Sequence, residues 1–190
     1  MIPVPTIETP RLSLRAHRPS DKPPIFAAYA DERFSRFITR EQRALTPEEA
    51  WRTASMLPGG WALNGYGMWL VEERATGEPA GVVGPWEPEG WPAFEIGWMI
   101  FPSHWGKGFA TEAAAASLRW VHDTLGRDEV IHLIDPANTA SEAVARRLGS
   151  QVSGDTKTFP NGSHARIWRT RWPDFERSEA AALLLPSSRP

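Results

Sequence analysis

Between residues 95 and 126 a bulky apolar run stops at a proline, crosses two closely spaced glycines and enters an alanine-rich segment, which leaves the chain few options there. Residues 95–101 (Glu-Ile-Gly-Trp-Met-Ile-Phe) contain no basic residue and read as a buried strand. Residues 102–107 form a turn. From Gly108 onward the chain supplies strong helix formers, with Glu112 in the first turn. Ala114, Leu118, Val121 and Leu125 share one helical face, and Gly126 can end the helix in a left-handed cap. A strand that turns through glycines into a helix leaves the first N–H groups of that helix free. With the helix dipole they form a site for an anion such as phosphate, and Gly106 and Gly108 carry no side chain to obstruct it. The spacing argues against two common phosphate binders. GxxxxGK[ST] fails because Gly108 follows Lys107, and the dinucleotide fingerprint fails because Thr111 stands where a third small residue is needed.

The rest of the chain surrounds this unit. Residues 11–18 alternate, with Leu12, Leu14 and Ala16 on one face, as in a half-buried strand. Ser20, Asp21 and two prolines start a helix to about Ala30, and residues 31–37 continue as helix or loop. Thr46-Pro47-Glu48-Glu49 starts a helix reaching Met56. Residues 68–72 and 80–83 are strands about a Thr76-Gly77 turn, and 86–92 is a Gly/Pro-rich loop before the fourth strand, 95–101. Residues 130–134 are a fifth strand, parallel to the fourth because one helical crossover joins them. Residues 140–148 form a helix stopped by Gly149, and two last strands flank Asn161-Gly162, a hairpin turn. Residues 179–185 read as a short apolar helix that docks on the domain. The expected class is α/β, a single mixed, mostly antiparallel sheet with helices on both faces.

Composition narrows the function classes. Net charge is −2, from 21 basic and 23 acidic residues, which gives no basic field for nucleic acid. The chain has no cysteine, which excludes disulfides, thiolate metal sites and a cysteine nucleophile. No His and carboxylate cluster has metal-ligand spacing, so no metal is expected. No apolar run approaches ~20 residues, so no membrane span is expected. The start Met-Ile-Pro-Val-Pro lacks a secretory signal, and a cytoplasmic location is the default. Ten tryptophans suit either a Trp-rich core or a Trp-lined cleft.

Trp105-Gly-Lys-Gly-Phe-Ala110, followed by Thr111-Glu112-Ala113, resembles the coenzyme-A loop of the GNAT N-acetyltransferases, whose pattern is [QR]xxGx[GA]. Residues 134–149 resemble the strand-then-helix segment of the same superfamily. The Trp-Gly-Lys-Gly variant, the spacing of Asn138 and Ser141, and Thr9-Pro10-Arg11-Leu12 with Leu14-Arg15 are similar to the branch that includes the ribosomal-protein alanine acetyltransferases. The resemblance covers roughly residues 6–172. It implies a GNAT domain over 6–173 with an extension over 174–190, and acetyl-CoA as cosubstrate. It also implies an amine acceptor, either a peptide N-terminus or a small molecule, and leaves a homodimer open. The fourth and fifth strands would splay apart around the pantetheine arm. Cofactor contacts would come from Met99, Ile100, Phe101, Trp105, Gly106, Lys107, Gly108, Phe109, Ala110, Thr111, Asn138 and Ser141.

Three positions depart from the pattern. Trp105 replaces Gln or Arg, which leaves backbone binding intact. Ala145 replaces a tyrosine that protonates the departing thiolate in many members. Ser150 replaces a bulky residue, a matter of packing.

Amide formation from a thioester needs a deprotonated amine, whose free pKa is near ~10, a stabilised oxyanion and a donor for the thiolate. Proximity supplies much of the rate, and without cysteine direct attack in a ternary complex is the simpler route. The resemblance makes Glu95 the general base; otherwise it is a surface carboxylate at a strand end. It gives Asn138 the pantetheine amide and Ser141 the sulfur; otherwise they close a turn and cap a helix. Lys107 and Arg147 either flank phosphates or are solvated. His104 and His132 read as structural. A non-catalytic acyl-CoA-binding module is the alternative function.

Overall fold

The structure is a computed structural model in which residues 4–39 and 41–184 are described. Its sheet comprises β1 (Ile7–Glu8), β2 (Leu12–Arg15), β3 (Trp69–Glu73), β4 (Glu78–Trp86), β5 (Glu95–Ile100), β6 (Glu129–Ile134), β7 (Gln151–Thr158) and β8 (His164–Arg171). The spatial order is β1-β2-β3-β4-β5-β6-β8-β7. Every neighbouring pair is antiparallel except β5 and β6, which are parallel, as the single crossover requires. The helices are α1 (Lys22–Tyr29), α2 (Glu32–Ser35), α3 (Pro47–Met56), α4 (Gly59–Asn64), α5 (Phe109–Leu125), α6 (Thr139–Arg147), α7 (Trp172–Glu176) and α8 (Glu179–Ala182). No helix among the described residues is long and apolar enough to cross a membrane.

Local chemistry sets the ends of the helices around the site. Thr46 and Glu49 form a reciprocal capping box at α3. Gly108 starts α5 and Gly126 ends it, both left-handed, at φ 77° and 65°. Two features lack a sequence signal. α4 begins at Gly59-Gly60, which reads as a helix breaker, and is held by Trp61, whose indole donates to the Met68 carbonyl at 3.1 Å. β1 is only two residues long.

Helices cover both faces of the sheet. Ile25, Tyr29, Phe34, Leu45, Ala50 and Leu57 pack on one face, against Leu70, Val82 and Phe101. Phe109, Ala113, Leu118, Val121, Val144 and Leu148, from α5 and the α6 region, pack on the other, against Val71, Ile96 and Ile100. β2 corrects one expectation: all four of its residues are buried, not half of them. The polar side of that strand is sealed by an ion-pair cluster, in which Arg15 reaches Asp21 at 2.9 Å and Glu72 at 2.6 Å. The Asn161-Gly162 hairpin joins β7 to β8 as expected, through the five-residue loop 159–163 rather than a two-residue turn.

The C-terminal segment docks on this core. Phe175 and Ala180 are fully buried in the cluster around α5. Leu185, the end of the expected apolar helix, lies outside the described residues. The dock presses on Gly149, where φ is +81° and an added Cβ would sit 2.6 Å from the Asp174 carbonyl oxygen. Gly149→Ala therefore combines left-handed strain with a backbone clash. A loss of about 3 kcal/mol is expected, read as a fall in Tm of roughly 6–12 °C for a domain of this size.

Candidate active site

β5 and β6 are in register only at Glu95 and Ile131, where the Ile131 N–H donates to the Phe94 carbonyl at 2.9 Å. Beyond that point side chains replace the ladder. The Leu133 N–H donates to Glu95 Oε1 at 3.0 Å, and the His132 ring meets the Ile96 carbonyl through Nδ1 at 2.7 Å. The two strands therefore separate around a polar floor. Ladder alternation shows what the opening exposes. Phe94 and Ile96 offer their carbonyls toward β6, whereas the Phe101 N–H donates to Ala80 on the β4 side. The peptide groups of Trp98 and Ile100 therefore face the opening, and the Ile100 carbonyl accepts the Trp105 indole N–H at 2.6 Å. Met99 and Phe101 turn their peptide groups toward β4, so of the trio expected at residues 99–101 Ile100 presents its backbone to the opening.

Glu95 is buried, with 8 % of its surface exposed. Burial pushes its carboxyl up to about 7, against the opposing pull of the Leu133 N–H and of the Trp91 indole, which donates to Oε2 at 2.5 Å. The surface-carboxylate reading of Glu95 is thereby excluded. Each carboxylate oxygen has a second lone pair, so capacity for an incoming N–H remains.

His132 is structural. Burial holds its imidazole down to about 4 and so neutral. Because the Ile96 carbonyl can only accept, Nδ1 carries the proton, and Nε2 accepts from the Thr170 hydroxyl at 2.8 Å. Thr170 in turn accepts from Ser150 at 2.6 Å. Ser150 thus ends a buried polar chain, which corrects its reading as a packing position.

Strand alternation places the site residues on opposite faces. Glu95 is opposed by Trp86 on β4, and Met99, two positions along from Gly97, packs with α1 and α3. Ile96, Trp98 and Ile100 face α5 and α6. On that second face Asn138 caps α6, its side chain accepting the Ser141 N–H at 3.1 Å. Asn138, not Ser141, fills the cap, and Ser141 Oγ instead accepts the Trp98 indole N–H at 3.1 Å. The hydroxyl proton of Ser141 is left to donate elsewhere. Trp98 also packs beside Ile134, Ala145 and Trp168, so the small Ala145 leaves room for its ring. Neither Trp91 nor Trp98 carries a signal in the sequence; the Trp91 indole meets Glu95 four residues on, and the Trp98 indole meets Ser141 on α6.

The glycine turn has the form expected of an anion site. The first helical bond of α5 runs from the Glu112 N–H to the Gly108 carbonyl at 3.3 Å, so the N–H groups of Gly108, Phe109, Ala110 and Thr111 have no helical acceptor. Arg11 braces the turn, donating to the Lys107 carbonyl at 2.8 Å and to buried Glu112 at 2.6 Å, while Thr9 donates to Glu112 at 2.7 Å. This accounts physically for the Thr-Pro-Arg motif. Lys107 pairs with Glu73 at 3.1 Å, and Arg147 with Glu179 at 3.3 Å. His104 is buried beside Ser103 and Glu73.

Residues 11–151 match the family model described as the acetyltransferase (GNAT) domain. Among relatives, YkkB of Bacillus subtilis (strain 168), an uncharacterised protein, is 40 % identical over 93 residues, a match covering 47 % of this chain and about half (54 %) of that protein. YoaA of the same organism, an uncharacterised N-acetyltransferase, is 29 % identical over 159 residues, covering 82 % of this chain and 88 % of YoaA. Among solved structures, an acetyltransferase from Agrobacterium tumefaciens str. C58 superposes with a TM-score of 0.77 at 27 % identity, covering 88 % of this chain and 95 % of that one. AAC(6')-Ib in complex with ribostamycin and coenzyme A shares the fold at a TM-score of 0.71 and 18 % identity, over 89 % of this chain and 98 % of that one. With its glycine turn, its parted strands and the family match over residues 11–151, the chain belongs to the GNAT acetyltransferase family.

Proposed function

We propose that the protein transfers an acetyl group from acetyl-CoA to a primary amine by direct attack, with Glu95 as general base. The observation that carries this reading is the buried Glu95 carboxyl, raised to about 7, at the point where β5 and β6 part, with Ser141 on the opposite face of the sheet. A base poised near neutrality suits removal of an ammonium proton. The turn before α5 fits the pyrophosphate through its free N–H groups, and the peptide group of Trp98 fits a pantetheine amide. Lys107 and Arg147 pair with Glu73 and Glu179 at the surface, weak ion pairs that leave both free to flank the phosphates. Coenzyme A release from acetyl-CoA, measured with and without amines, tests the reading: release that depends on an amine supports it.

Ala145 keeps the binding-module alternative in view, because no phenol is present there to protonate the thiolate. The Trp98 indole does not substitute as an acid; it orients Ser141. We assign the donor role to Ser141. Ser141→Ala is then expected to lower kcat by about tenfold while the Kd for coenzyme A changes less than about threefold. Because Asn138 holds the cap, Tm should fall by no more than a few degrees, the cost of an indole N–H left without its acceptor. Equal small losses in kcat and affinity would remove the donor role. Coenzyme A binding without turnover on any amine would favour the module.

A further inference from the structure

A cavity of about 620 Å³ lies between β1 and α5, far along the sheet from the β5–β6 opening. A smaller groove of about 320 Å³ lies at the end of the sheet, between α3, α4 and the exit of β4. Its walls include Met56, Leu63, Tyr66, Trp86 and Pro88, and among the described residues Glu87 is its one carboxylate. The β4–β5 register sets it beside Glu95. Trp86 is directly opposed to Glu95 in the β4–β5 register, so the two side chains share a face of the sheet. The Tyr66 ring packs 5.0 Å from that of Phe94, which belongs to the cluster under α5, so the groove wraps the end of β4 toward the second face.

We propose that this groove receives the acceptor, and that the acceptor is a compact primary amine on an apolar or aromatic body with a single positive charge. The inference rests on the transferase reading and goes beyond it by naming the substrate class. Volume and charge complementarity carry it. The groove is at the small end of ligand sites. The reacting ammonium is received by Glu95, and the groove's Glu87 already accepts from the Tyr66 hydroxyl at 3.4 Å; further charges on a polyamine or aminoglycoside would be desolvated against methionine, leucine and proline. The apolar walls are solvent-facing: Met56 is 57 % and Leu63 85 % exposed, a cost that a bound apolar body would offset.

The test is steady-state acetylation with acetyl-CoA across 2-phenylethylamine, spermidine, ribostamycin and a hexapeptide beginning with alanine. The expected result is a kcat/KM for 2-phenylethylamine at least about tenfold above the other three. In the Met56→Gln/Leu63→Gln double variant, KM for 2-phenylethylamine should rise by about tenfold with kcat held. Both positions are exposed, so folding is not at stake. Preference for a polycation or the peptide, or an unchanged KM in the double variant, overturns the inference while leaving the transferase reading intact. A double variant that shifts a dimer to monomer on a sizing column, with KM unchanged, assigns the groove to a second copy and also overturns it. No turnover with any amine overturns both.

Discussion

Glu95→Gln is expected to lower kcat by roughly 10²–10⁴, the usual scale for loss of a general base. The amide keeps the shape and the acceptor for the Leu133 N–H, but cannot take a proton from the amine. The wild-type rate should fall as pH drops through about 7, where the buried carboxyl takes up its proton. The defect of the variant should shrink as pH rises toward the amine's own pKa, since more acceptor is then already neutral. Steady-state rates from pH 6 to 9.5 with one amine measure both effects. A flat defect would reduce Glu95 to orienting the acceptor.

The same substitution has a stability signature of defined sign. A carboxyl raised from 4.5 in the unfolded chain to about 7 in the native state binds its proton more tightly when folded. Its contribution is most favourable below 4.5, is lost as pH rises through about 7, and amounts to on the order of 3 kcal/mol. The wild type should therefore lose more Tm than Glu95→Gln between pH 5 and pH 8. Parallel melting curves for the two proteins would contradict the buried, raised carboxyl. Activity and stability thus pull in opposite directions at this residue.

Gly108→Val is expected to weaken coenzyme-A binding by at least ~100-fold, as measured by calorimetry, because an anion held by several N–H groups loses charge-assisted bonds when a branched side chain stands over them. The fold should survive. An added Cβ at Gly108 meets only the Arg11 guanidinium, at 3.5 Å, and the cost is the left-handed backbone at φ +77°, about 1–2 kcal/mol. Gly77→Val supplies the control: its φ is +73° in open space at the β3–β4 turn, so it carries similar strain away from the loop. Matching Tm losses with affinity lost only in Gly108→Val would locate the anion site. Unchanged affinity would remove the phosphate-loop reading.

Much of this architecture was legible because local rules wrote it. The Thr46 capping box, the Gly108 and Gly126 helix limits and the parallel crossover between β5 and β6 all follow from residues close in the chain. The glycine turn and Asn138–Ser141 spacing carried the family resemblance, and the family model matches residues 11–151. What lay beyond the sequence was each contact made at long range. Whether Glu95 was a surface acid or a buried one depended on β6 packing beside it, with the Leu133 N–H from 38 positions away. That Lys107 pairs with Glu73 depended on β3. The donor freedom of Ser141 depended on a tryptophan 43 positions away, on β5 under α6. Chain-local patterns determine which segments are helix, strand and turn, because the physics of capping and periodicity acts over a few residues. Burial, proton affinity and hydrogen-bond partnership are properties of the surrounding volume, which only the packed sheet and its two helical layers define.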